Sequence, residues 1–145
     1  MMTWYVQLPV LVKAGPFVGK FQLGYGKNLA IYPLQSAFHK YQRVDGKIKD
    51  TTGITGFFDL GFTAGMATPH LYFGYDRAEN SDAYRIGDNN NTRIAYGANV
   101  SLKISDSFYV IPELNYYDYG KRPNALGSPD IGKEWLAGVQ FMFTF

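Results

Sequence analysis

The sequence contains no cysteine, which excludes disulfide scaffolds, cysteine-ligated zinc and thiol catalysis together. It has two histidines, His39 and His70, and neither has a metal-ligating partner at helical spacing. No Gly-x-Ser-x-Gly, phosphate-binding glycine loop or His-Glu-x-x-His motif occurs, so no catalytic site is expected. Nor is a cofactor or a metal. No run approaches the 18 apolar residues a membrane-crossing helix needs. Charge of one sign is also lacking: 14 Lys and Arg against 12 Asp and Glu leave +2, which gives no footing for a nucleic-acid partner. The opening Met1-Met2-Thr3-Trp4-Tyr5 has no basic region, apolar stretch or cleavage site of a signal peptide.

What is abundant points to β-structure. In 145 residues there are 12 Tyr, 11 Phe and 16 Gly, the size of one domain or a piece of one. Period two dominates. It predicts seven strands over about 3–13, 17–27, 54–67, 70–77, 92–104, 108–119 and 134–145. Most are about twice the usual 5–6 residues of a soluble strand. Alternate positions form a chargeless face, for example Trp4-Val6-Leu8-Val10-Val12 and Trp135-Ala137-Val139-Phe141-Phe143-Phe145. The opposite parity holds Lys20, Gln22, Asp59, Asp76, Arg93, Asn99, Lys103, Glu113, Asn115 and Glu134, with glycines among them. Pro9 and Pro112 fall inside predicted strands, where each removes a ladder donor.

The connections alternate in length. Residues 13–16, 67–69 and 105–107 read as tight turns, whereas 28–53, 78–91 and 120–133 are long and polar. Long strands, an apolar face and short/long alternation together predict an all-β fold, an antiparallel transmembrane β-barrel. A soluble β-sandwich also alternates, but long strands and a glycine-rich polar face fit it less well. Trp4, Tyr25, Tyr75, Tyr116 and Trp135 fall at strand ends beside the long loops and read as an aromatic girdle.

The most specific local motif is the C-terminal Trp135-Leu136-Ala137-Gly138-Val139-Gln140-Phe141-Met142-Phe143-Thr144-Phe145. It resembles the targeting strand of Gram-negative outer-membrane proteins, with Val139, Phe141, Phe143 and Phe145 as the assembly signal. With Phe108–Gly120 before it, the chain is similar to the C-terminal part of a bacterial outer-membrane porin. The resemblance implies a bacterial outer-membrane location. It also implies a water-filled channel for passive diffusion of small hydrophilic solutes or ions, lined by the ten polar residues above. The implied partners are lipid and lipopolysaccharide, the barrel-assembly machinery and small hydrophilic solutes, with a homotrimer left open.

Seven strands are odd for a single-chain barrel, which is normally even. The expectation is therefore a C-terminal fragment of a 16–18-stranded barrel. Two alternatives stay open: a complete eight-stranded outer-membrane barrel serving as adhesin or structural anchor, and a soluble all-β binding domain. Leu34–Tyr41 reads as a short helix in the 28–50 loop, where Lys40, Arg43, Lys47 and Lys49 outnumber Asp45 and Asp50. Asp88-Asn89-Asn90-Asn91 reads as a polar surface loop rather than a calcium site.

Overall fold

The computed structural model describes residues 3–28, 42–44, 47–79, 90–120 and 132–145. Alternation does produce strands, and seven long ones form a single antiparallel sheet. They are β1 (Trp4–Ala14), β2 (Phe17–Lys27), β5 (Thr52–Phe62), β6 (Ala67–Glu79), β7 (Asn90–Ser105), β8 (Phe108–Asp118) and β9 (Lys133–Phe143). A short hairpin, β3 (Gln42–Val44) with β4 (Lys47–Lys49), stands apart as a second sheet. The proposed helix at 34–41 and the loop residues Asp88 and Asn89 lie outside the described residues.

The large sheet is open. Its order is β1-β2-β5-β6-β7-β8-β9, so β1 and β9 are its two edges. This corrects the expected fold class: the chain does not build a transmembrane barrel, whether a piece of a 16–18-stranded one or a complete eight-stranded one. The physical reason is that period-two alternation and strand length report two chemically different faces, and say nothing of whether the edges meet. Six successive antiparallel steps also leave β1 and β9 running in the same direction, whereas every ladder in this sheet is antiparallel.

The hairpin turns have local causes. Gly15 (φ 57°) and Gly65 (φ 61°) adopt the left-handed conformation that glycine takes without a Cβ penalty. They reverse the chain between β1 and β2 and between β5 and β6. The second turn therefore lies at Gly65, not at 67–69. Ala67, Thr68 and Pro69 are already in β6, paired with Leu102, Ser101 and Val100. Asp106 and Ser107 turn the chain from β7 to β8, next to a register shift between Lys103 and Ser105.

The prolines sit where the ladder tolerates them. Pro9 is on edge strand β1. On the β7 side, the register of β8 runs from Asn99–Glu113 to Leu102–Val110 and omits Pro112 and its neighbour Ile111. This is the interruption expected where a residue has no N–H to give.

Candidate functional site

Register assigns every strand residue to one of two faces. One hydrogen-bonded row reads Val10–Phe21–Phe58–Phe73–Tyr96–Tyr116–Trp135, and it lies on the apolar face. The neighbouring parity holds Lys20 opposite Asp59, Asp59 opposite Tyr72, Asp76 opposite Arg93, and Asn99 opposite Glu113. All ten polar residues singled out from sequence fall on this second face. They share a surface of an open sheet, so they do not line a channel. The water-filled porin pore is overturned by that openness, and the porin assignment and outer-membrane location that rested on a closed barrel fall with it.

Exposure runs opposite to that of a sheet with a polar, solvated face. Val6, Leu8, Leu71, Trp135, Phe141 and Phe143 are each 60–66% exposed, while Asp59 is 8% and Asn115 5% exposed. The polar face shelters its own groups through contacts between strands. Asp59 takes Lys20 Nζ at 3.3 Å on one oxygen and bonds His70 Nδ1 at 2.8 Å through the other. The Tyr72 hydroxyl donates to Asn115 Oδ1 across β7. Tyr5 and Thr55 share a hydroxyl hydrogen bond of 3.0 Å across β2.

Both crossings need glycine beneath them. A Cβ on Gly24 would meet the Tyr5 ring at 2.5 Å, and one on Gly97 would meet the Tyr72 hydroxyl at 2.7 Å. A Cβ on Gly61 would likewise strike the His70 ring at 2.6 Å. The glycines on the polar parity are thus gaps through which long side chains lie flat over the sheet.

Burial shifts two groups of this face. It pushes the Tyr72 hydroxyl above its usual value, with the Glu113 carboxylate acting in the same direction. It draws the Arg93 guanidinium down, while Asp76 opposes the shift. Beside these two residues is a cleft of about 540 Å³, lined by Gln7, Gln22, Thr55, Asp76, Arg93 and Tyr117 among others.

Residues that sequence reasoning missed are Tyr5, Tyr72 and the Asp59–His70 pair. Along β6 itself the nearest carboxylate on the same face as His70 is Asp76, six positions away and about 20 Å along the strand. The structure instead bonds His70 to Asp59 on the neighbouring strand, a contact that becomes visible only once the β5–β6 register is known.

Aromatic residues border the apolar face in two bands. Relative to the row just named, Tyr25 lies four residues toward the long-loop end on β2, Tyr75 two on β6, and Tyr116 and Trp135 none. Trp4 extends the same slope on β1 and packs edge-on against Tyr25 at 5.5 Å. Tyr96, Tyr116 and Trp135 form a cluster with centroids 4.6–6.1 Å apart. Trp4, Tyr25, Tyr75, Tyr116 and Trp135 therefore lie along one oblique line of the sheet.

The opposite band starts at Phe17 with Phe62, 4.9 Å apart, and ends at Phe108 with Phe143, 4.7 Å apart. On the line between these two pairs β6 and β7 carry Ala67 and Leu102 rather than aromatics, and that line slopes the same way. The two bands are eight residues apart on β2 (Phe17 to Tyr25) and again on β9 (Trp135 to Phe143). A drop of four residues over five strand spacings inclines both by about 30°, at 3.4 Å per residue and 4.8 Å per strand.

No charged residue falls between the bands on this face. Lys27, Arg77, Asp118 and Lys133 share its parity, and each lies two residues beyond a band residue: Tyr25, Tyr75, Tyr116 and Trp135. Asp118 and Lys133 are joined at 3.2 Å. Val139, Phe141 and Phe143 occupy exposed positions of β9, and Phe145 follows the strand fully exposed.

The charge border carries a pH dependence. The Gly120 N–H donates to Asp118 Oδ1 at 3.0 Å. That bond, and then Lys133, hold the Asp118 carboxyl below its ordinary value against a smaller opposing effect of desolvation. A depressed folded-state value means the stabilisation is fully present above the unfolded value of about 3.9 and is lost as pH falls through the folded one. Asp118→Asn should therefore be less stable than the parent at pH 6, with the difference shrinking toward pH 3. Urea midpoints at the two pH values read this directly, and a constant difference would place the effect elsewhere.

No family model matches the chain, and neither a curated protein nor a solved structure matches it. Among the described residues no helix is long and apolar enough to cross a membrane.

Proposed function

We propose that this chain is a non-enzymatic amphipathic sheet whose apolar face rests against lipid acyl chains while its polar face stays in water. The observation behind this is the strip of constant width between two parallel aromatic bands, without a charge inside it and with charges immediately outside one border. A contiguous exposed apolar surface of this size marks an interaction site. Tyr and Trp, which make up the band beside the long loops, have one apolar and one polar side and favour the boundary between hydrocarbon and water; the opposite band is phenylalanine and adds apolar area. A second protein sheet as cover would need shape complementarity and would impose no matching slope on the two bands.

The test is flotation with phosphatidylcholine vesicles, read together with Trp4 and Trp135 fluorescence. Co-flotation and a blue shift at neutral pH, both insensitive to salt, are expected. Protein left at the bottom of the gradient would overturn the proposal. So would binding that salt abolishes, because that would come from charge rather than from the strip.

A second reading concerns the polar face. The cleft of about 540 Å³ sets amide, hydroxyl, carboxylate and guanidinium groups in a lining that is mostly apolar, with Ile94 and Ala95 among it, which suits a small solute with one polar and one apolar part. Saturable chemical-shift changes at Gln22 and Arg93 on titration with small polyols and amino acids would support it. Shifts that stay linear with concentration would reject it.

A further inference from the structure

The two edges of the sheet are chemically unequal. Unpaired strand edges are templates for other strands, and proteins usually blunt them with proline, lysine or other charges. Edge strand β1 carries Pro9 at its centre and Lys13 near its end. Edge strand β9 carries Lys133 and Glu134 at its start, and then nine residues from Trp135 to Phe143 without a charge or a proline. Both faces of β9 are apolar and open: Trp135, Val139 and Phe141 on one side are 56–63% exposed, Leu136 and Met142 on the other 49% and 37%. Gln140 is the only polar side chain in that run.

We infer that the β9 edge pairs antiparallel with β9 of a second copy of this chain, about a two-fold axis through Val139. The sequence of β9 is self-complementary about that residue. On the apolar face Val139 meets its own copy, Ala137 meets Phe141 and Trp135 meets Phe143. On the polar face Gly138 meets Gln140 and Leu136 meets Met142. Small residues lie beside large ones, two aromatic pairs form, and no like charges come into opposition, which are the features that favour cross-strand pairing.

Sliding the register by two in one direction sets Lys133 against Phe143 and Glu134 against Met142. Sliding it by two in the other takes Trp135 past the strand end, to Phe145. Because the axis stands perpendicular to the sheet, the two apolar faces stay on one side and form one continuous surface. The guarded β1 edges end the assembly, so the pairing is isologous and closed, a dimer rather than a fibre.

The absence of cysteine allows a clean test. Val139→Cys, Met142→Cys and Leu71→Cys are each made singly and oxidised mildly in a nonionic detergent, which covers the apolar face and suppresses association through it. Facing residues in an antiparallel pair have Cβ atoms about 4.5–5.5 Å apart, near the reach of a disulfide. Residue 142 would lie six positions from its own copy, about 20 Å along the strand. The expected result is at least ten-fold more cross-linked dimer for Val139→Cys than for the other two.

Equal yields from all three would overturn the pairing, and a preference for Met142→Cys would overturn this register. Sedimentation of the parent chain as a single copy at tens of micromolar would overturn the dimer itself. None of these outcomes depends on vesicle binding, so this inference and the lipid proposal can fail separately.

Discussion

Leu71→Arg is expected to lower partitioning onto phosphatidylcholine vesicles by roughly ten- to a hundred-and-fifty-fold. Leu71 pairs with Leu60 on β5 and with Ala98 on β7, midway between the two aromatic bands, and is 65% exposed. An arginine there gives up the leucine's contact with acyl chains, about 1.5–3 kcal/mol for a side chain of that size. The same substitution leaves folding almost untouched. An exposed side chain gives up little burial when replaced, and surface changes usually stay within about 0.5 kcal/mol. The informative outcome is a separation: unchanged urea unfolding with strongly reduced co-flotation. If Leu71→Arg floats like the parent, the apolar face is not the lipid surface. If it destabilises the fold by several kcal/mol, that face is covered by protein instead.

The same face shows how far sequence reasoning carries. A strand with one apolar side puts like residues at every second position, so the strands and their two sides were legible from Trp4–Val12 or from Trp135–Phe143 alone. The tight turn at Gly15 was legible for the same local reason. Closure was not legible. Whether β9 lies beside β1 depends on sheet curvature and on what meets the edges, and no two-residue period encodes either. The porin resemblance rested on the C-terminal pattern and took closure for granted, which is where it failed.

Contacts across strands were hidden for a related reason. Asp59 and His70 are eleven positions apart, and Tyr72 and Asn115 forty-three. Each pair lies on neighbouring or next-neighbouring strands only in the observed register. The position of the β5–β6 turn shifts which residues face one another there. A turn at 67–69 would shift that pairing, whereas Pro69 is already in β6 opposite Val100. The glycines were noticed on the polar parity, but not the side chains that lie over them.

Gly97→Ala tests that last point and should give the largest loss of stability of any single methyl added to the sheet. Gly97 sits on β7, with Tyr72 opposite on β6 and Asn115 opposite on β8. Its Cβ would fall 2.7 Å from both the Tyr72 hydroxyl and the Leu114 carbonyl oxygen. The Tyr72 ring can swing away at the cost of its hydroxyl's bond to Asn115, but the carbonyl is backbone and moves only if the β7–β8 ladder opens. Forcing an extra carbon into such a site costs about 1–3 kcal/mol. At about 2–4 °C per kcal/mol for a domain of this size, Tm should fall by roughly 2–12 °C. Gly74→Ala is the control on the same face: its Cβ would lie 3.7 Å from Ala95 Cβ, an ordinary contact. Removing a glycine where the backbone is compatible gains about 0.4–1 kcal/mol through the unfolded chain. Opposite signs for the two substitutions are expected. If Gly97→Ala is as stable as Gly74→Ala, the Tyr72–Asn115 bridge does not cross β7, and the sheltered polar face loses its structural basis.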